Sequence, residues 1–324
     1  MHKPKREFRD FIIKNLALPK ECLQPIADAA KYNTYVETIS NKADNLHLNV
    51  KECCVEAIQK FYSGYIKNFI RKQRLGAVTL VCDITSENFY GKVEGLYIHP
   101  WTGKDGIEGK FYYLVVGILF RNKIIPFYVA LLRRGCSKAK LLGNAIEYCN
   151  SLGLRIMQIL LDRGFYSGEI INELQMKKVN YLIFVPKYSL FKCMLEGTDK
   201  SVVIEHEINY CMDFTKHRVP TNIILAKNVL DYDWVFATNL EIEDIDKHVY
   251  VYKKRWNIET MFRVHDEARI KTKSNIPVIR LFYFTISMLL LLIWNIYKKQ
   301  TTTFKLFVIQ LFEDTKQSCR GSAD

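Results

Sequence analysis

Residues 156–176 read IMQILLDRGFYSGEIINELQM. Ile156 to Leu161 is a short, mostly apolar run of the kind that forms a buried strand. Asp162 follows it, then Arg163-Gly164. Ser167 or Gly168 opens an amphipathic helix through Met176. An acid is thereby placed at a strand-to-helix turn. In open α/β sheets, ligand sites collect at the C-terminal ends of strands.

The pattern repeats upstream. Val78-Thr-Leu-Val-Cys-Asp83 is another short run ending in an acid. Phe111 to Phe120 (FYYLVVGILF) and Ile124 to Leu132 flank the polar Arg121-Asn122-Lys123 and predict a β-hairpin. Ser137 is the expected N-cap of a helix whose apolar face is Leu141, Leu142, Ala145, Ile146 and Cys149, with Gly153 ending it. Tyr181 to Val185 predicts a further strand. Strand, hairpin, helix, strand, helix and strand together predict an α/β fold, a mixed sheet flanked by helices.

Outside this core, residues 1–75 predict a helical module, with Phe8-Phe11-Ile12 and Val55 to Phe69 in three-to-four spacing. Residues 76–300 form the main domain. Within it, 187–240 predicts a β-rich insertion with short strands at Val202–Ile208, Asn222–Ala226 and Trp234–Ala237. A long helix is expected over 246–268. Residues 301–324 are a tail. The uncharged run 281–297 (LFYFTISMLLLLIWNIY) has 17 residues. That is at the lower edge of a membrane span; a buried core helix with no membrane partner is the expectation, and a membrane anchor through 281–297 is the alternative.

The net charge is +13, which favours a polyanionic partner such as DNA. The nine cysteines are odd in number and show no C-x-x-C pair, so reduced thiols in a cytoplasmic protein are expected. His99, His248 and His265 show no zinc-ligand spacing, and the last two read as surface residues of the long helix. Gly103, Gly106 and Gly109 match no phosphate-cradling motif.

The expected helix carries the most specific pattern, YVYKKRWNIETMFR, residues 250–263. At about 100° per residue, Tyr252, Arg255, Glu259 and Arg263 share one stripe about 80° wide. It adjoins the apolar edge Val251, Ile258 and Phe262. A carboxylate there suits a metal, and Arg and Tyr suit phosphate oxygens. Between Lys253 and Lys273 the chain has seven basic and three acidic residues, as a DNA-backbone groove would. Arg133-Arg134 and Lys138-Lys140 are further candidate contacts. Phosphoryl transfer on DNA calls for two hard cations roughly 3.5–4 Å apart, and hence for a few converging carboxylates.

Asp83, Asp162 and Glu259, with Tyr252-x2-Arg255-x3-Glu259 and the words LLDRGFYS, YKKRWNIETMFR and KTKS-x5-RLFYF, resemble DDE-type insertion-sequence transposases. The likeness is strongest to the branch, common in archaea, with a β-strand insertion before the Glu helix. It covers about residues 78–297. The resemblance implies an RNase H-like catalytic core and an endonuclease and strand transferase dependent on two Mg²⁺ or Mn²⁺ ions. It implies cutting and joining of DNA at terminal inverted repeats, a homodimeric DNA complex and a nucleoid-associated location. Asp83, Asp162 and Glu259 would be metal ligands and catalytic. Tyr252, Arg255, Arg263, Lys253, Lys254, Arg269, Lys271 and Lys273 would contact DNA. Trp234, in the insertion, would hold an unstacked base. The family signature often places a Lys seven residues after the Glu. Asp266 stands there instead, which motivates a second reading as an inactive, DNA-binding descendant.

Overall fold

A computed structural model describes Tyr35 and residues 55–103, 106–297 and 302–310. Most of the expected 1–75 module, including Phe8 to Ile12, lies outside the described residues, as does the tail from 311.

The strands are β1 (Ala77–Phe89), β2 (His99–Pro100), β3 (Gly109–Phe120), β4 (Lys123–Leu131), β5 (Arg155–Leu161), β6 (Tyr181–Phe184), β7 (Val202–Met212), β8 (Thr215–Val229) and β9 (Tyr232–Thr238). All join one sheet in the order β2-β3-β1-β5-β6-β9-β8-β7, with β4 also pairing β3. β1, β5 and β6 run parallel, and β3 is antiparallel to β1. The run β4-β3-β1-β5-β6 matches the RNase H-like sheet that the resemblance implies. β3 is apolar almost throughout and buried, as a strand covered on both faces must be. The β3–β4 turn sets Arg121 and Asn122 at φ 48° and 59°, the type I′ geometry that matches strand twist.

The helices are α1 (Val55–Gln73), α2 (Lys138–Ser151), α3 (Gly168–Met176), α4 (Ser189–Glu196), α5 (Ile245–Lys253), α6 (Asn257–Asp266) and α7 (Pro277–Tyr297). The expected serines cap α2 and α3: Ser137 Oγ accepts from Lys140 N and Ser167 Oγ from Ile170 N. α2 packs on α3 and β5, while α1, α6 and α7 gather over β4. α1 is bound into the common core through Ile58, Tyr62, Ile66 and Phe69. The Tyr62 hydroxyl donates to Pro126 O at 2.8 Å. α7 is long and apolar enough to cross a membrane, yet 89% of its apolar window is buried inside the fold. Its Phe284 stacks on Tyr113 at 3.9 Å.

Three expectations need correction. The long helix is broken: α5 passes through a tight 3₁₀ turn, Lys254–Trp256, into α6. A tighter turn advances by about 120° rather than 100° per residue, so the stripe drawn on one straight helix is rotated apart. The insertion has a helix, α4, and two long strands of 11 and 15 residues rather than short ones. It extends the main sheet beyond β6 through β9. Finally, His265 is not a surface residue: it is 1% exposed, beside Phe284.

Candidate active site at the end of the parallel strands

The pairing of β1 with β5 ends at Cys82↔Leu161. The next residues are Asp83 and Asp162, on neighbouring strands about 4.8 Å apart. The sheet register alone therefore sets the two acids side by side. β1 does not stop at Asp83, as its sequence suggests, but continues in its antiparallel pairing with β3 to Phe89. Asp83 Oδ1 accepts from the Ile84 amide at 2.7 Å. Asp162 occupies the N-cap of a 3₁₀ turn, Arg163–Phe165, without a side-chain cap bond, so the turn does not consume its carboxylate.

The 3₁₀ turn between α5 and α6 brings Arg255 to the same place. Its Nη1 lies 3.2 Å from Asp83 Oδ2, and its Nη2 lies 3.9 Å from Asp162 Oδ1 and 2.5 Å from Glu259 Oε1. One guanidinium touches all three carboxylates. The path through Nη2 bounds the Glu259–Asp162 oxygen separation at under about 7 Å, within reach of a pair of ions roughly 3.5–4 Å apart. The Arg255 side chain is 4% exposed and that of Glu259 is 58% exposed. The cluster thus has a buried cation at its base and a carboxylate at its open side.

Tyr252 departs from its expected role. It is 1% exposed, and its hydroxyl donates to Leu161 O at 3.2 Å. It packs on Phe236, Phe184 and Trp234. In this arrangement it ties the helix to the strand end that carries Asp162 instead of facing a phosphate. Burial pushes its phenol well above the ordinary range, and the Arg255 charge only partly offsets this.

Burial also raises the Asp83 carboxyl, with the like charge of Asp162 adding to it, against the Ile84 amide and Arg255. For Arg255 burial acts downward, but Tyr252, Asp162, Asp83 and Glu259 outweigh it and its pKa is raised. A carboxyl with a raised folded pKa holds its proton more tightly when folded. It therefore favours the folded state at low pH, and that contribution is lost as pH rises from the unfolded carboxylate range through the raised value. In EDTA, Asp83→Asn is accordingly expected to melt at or above wild type at pH 7, with the difference vanishing toward pH 4. Calorimetry across that range checks this, and a lower midpoint for the variant at pH 7 counts against it.

Among the described residues, no group of three His, Cys, Asp or Glu side chains closes on one ion position. Arg255 lies between the acids. The donor chemistry nonetheless fits a hard divalent cation: three carboxylates, all oxygen, no sulfur or imidazole.

A cleft of about 440 Å³ opens beside the cluster, walled in part by Arg163, Leu230, Tyr232, Lys253 and Trp256. Trp234 also borders it, but is 5% exposed and its indole donates to Val229 O at 2.9 Å. It is a core residue, which corrects its expected role as a base platform. The aromatic faces that reach solvent are Tyr232 and Trp256, each 45% exposed, and Lys187 Nζ lies 3.9 Å over the Tyr232 ring. Trp256 lies inside the motif already quoted, one residue from Arg255. Only the 3₁₀ turn reveals which way it points.

The basic residues divide. Lys254, Arg263 and Lys273 are exposed, and Lys253 and Lys271 half-buried. Arg269, expected on DNA, is engaged internally: Nη1 lies 3.3 Å from Asp266 and Nε 3.6 Å from the buried Glu87. Glu87 also faces Arg280 at 3.4 Å and accepts from the Tyr113 hydroxyl at 2.8 Å. Asp266, found where a Lys is usual, is thus matched by Arg269 and by His265 Nδ1 at 3.5 Å. Burial would raise its carboxyl, but those two partners hold it below the usual range.

Residues 148–275 match the family described as the transposase DDE domain. The matched stretch contains Asp162 and Glu259 and stops short of Asp83. The fold is similar to that of a piggyBac transposase in a synaptic complex with hairpin DNA, solved by cryo-EM. The TM-score is 0.53 with 14% identity, over 86% of this chain and 60% of that one. At that identity the likeness is one of fold, and the chain spans 60% of that structure's length. Among curated proteins there is no match. The motif-based resemblance to DDE-type transposases is borne out by the family match and by the shared fold.

Proposed function

We propose that this chain, whose residues 148–275 match a transposase DDE domain, is a DNA transposase that cuts at element ends and joins them to target DNA. The observation that carries this reading is the convergence of Asp83, Asp162 and Glu259 on one guanidinium at the end of the parallel strands. Three oxygen-donor side chains at a sheet edge are the protein's share of a site for two Mg²⁺ or Mn²⁺ ions. Such ions, when bound, align and polarise the attacking and leaving oxygens of an in-line phosphoryl transfer.

The chain's own residues supply the rest. Asp83 and Asp162 are set side by side by the sheet register, over the buried Arg255. Glu259 closes the open side from α6. Arg255, 4% exposed and with both terminal nitrogens on the carboxylates, holds the acids together and does not face a phosphate as expected. Lys253, Lys254, Arg263, Lys271 and Lys273 would track the DNA backbone around this centre. A homodimer on paired terminal repeats and a nucleoid-associated location belong to the same proposal.

A supercoiled plasmid carrying the repeats that bracket the gene tests it. With Mg²⁺ or Mn²⁺ the protein is expected to nick at the repeat ends, and with EDTA it is not. Sequence-specific binding with no cleavage in either metal would select the second reading, a binding-only descendant. That reading is motivated by Asp266, although its pairing with Arg269 shows that the changed residue is accommodated in the fold.

A further inference from the structure

The β7–β8 hairpin ends in a two-residue turn, with Met212 paired to Thr215. Both turn residues are left-handed, Asp213 at φ 49° and Phe214 at φ 63°. This is type I′ geometry, for which Asp-Gly is a preferred pair. Asp213 suits the first position. The second, where glycine relieves the clash of Cβ with the backbone, holds a phenylalanine. Its side chain is fully exposed at 106%, and Met212 beside it is 46% exposed. A bulky apolar residue is therefore held in a disfavoured backbone conformation with no packing among the described residues in return.

The tip is fixed. Pro220 O accepts from Gln175 Nε2 of α3 at 2.6 Å, and further along the arm Tyr210 crosses the start of α3. A Cβ on Gly168 would meet the Tyr210 Cβ at 2.9 Å, so the glycine is required for this approach. Gly168 is six residues beyond Asp162. The hairpin thus curls along α3 and brings its tip back toward the end of the sheet that holds the three carboxylates. Val219 on β8 is buried, while Lys216 and Arg218 on the opposite face are exposed. The acids on that side are Asp213, Glu205 and Glu207, the last 3.5 Å from Arg218.

We propose that this tip is a DNA-distorting wedge. Phe214, with Met212, would enter between base steps beside the cut, while Lys216 and Arg218 hold the flanking phosphates. Apolar side chains used in this way unstack a step and kink the duplex, and the net charge of +13 favours a polyanionic partner such as DNA. The inference rests on the transposase reading.

Duplexes carrying the bracketing repeats, substituted with 2-aminopurine one position at a time, report local unstacking. Wild type is expected to raise fluorescence at one or two adjacent positions, and Phe214→Ala to lose that rise while still binding. Phe214→Gly is expected to lose it too and to melt about 1–3 °C higher, because the left-handed turn is relieved. The higher midpoint shows that the loss is not misfolding. Retention of the full rise by Phe214→Ala overturns the wedge. So does a shift from dimer to monomer in that variant without DNA, which makes the tip a contact between copies. If Phe214→Ala still unstacks DNA while wild type nicks the repeats, only the wedge fails. If wild type neither binds nor nicks them, the transposase reading falls and the wedge with it.

Discussion

Asp162→Ala is expected to abolish nicking of repeat-bearing DNA in Mg²⁺ or Mn²⁺, by roughly 10³-fold or more, equivalent to about 4 kcal/mol of barrier. DNA binding should persist. Asp162 follows directly on β5, next to Asp83 across the sheet, and its side chain caps nothing. It is a third exposed, so its removal costs the fold little. The large effect on cutting and small effect on folding follow from the same fact: the carboxylate is presented to the cleft and not spent on the structure. Asp162→Asn keeps the shape and removes the charge, and it should be as inactive as Ala. A plasmid nicking assay with a parallel binding titration decides the matter. A variant that cuts at the wild-type rate removes Asp162 from the site.

The second large effect falls on stability. Arg255→Ala in EDTA is expected to lose about 3 kcal/mol, since it removes the buried cation that three partly exposed carboxylates face. That corresponds to a fall of roughly 10 °C in a domain of this size. Added Mg²⁺ should recover part of the loss in this variant and less in wild type, because the guanidinium and a divalent ion supply charge to the same three acids. Thermal melts of both proteins, with EDTA and with Mg²⁺, test this. Equal midpoints for the two in EDTA would mean that Arg255 does not hold the cluster together.

Much of the site was legible in the sequence because its parts are local. A short apolar run ending in Asp is a strand end, and two such runs in parallel strands put their acids at one edge. The caps at Ser137 and Ser167 and the turn at Arg121-Asn122 follow from neighbouring residues alone. What was not legible depends on distant partners. β1 runs on through Ser86 and Glu87 because Glu87 is met by Arg280, Arg269 and Tyr113, none of them near it in the chain. His265 is buried because α7 covers it with Phe284. Trp256 and not Trp234 presents its face to the cleft because a 3₁₀ turn rotates it there, while Trp234 lies among Phe184, Phe236 and Tyr252. The Tyr-x2-Arg-x3-Glu spacing was readable, but the split of its members was not: Tyr252 and Arg255 face inward and Glu259 outward. The curl of the β7–β8 arm over α3 needs Gly168, and nothing in the local sequence distinguishes that glycine from an ordinary helix start.

The account stands on whether the three carboxylates hold a pair of divalent ions. Anomalous diffraction from crystals of the repeat-bound protein soaked in Mn²⁺ measures this directly. Two peaks roughly 3.5–4 Å apart, with Asp83, Asp162 and Glu259 as their protein ligands, are the expected result. Saturating Mn²⁺ with no peak among these side chains, or peaks held by other residues, would contradict it.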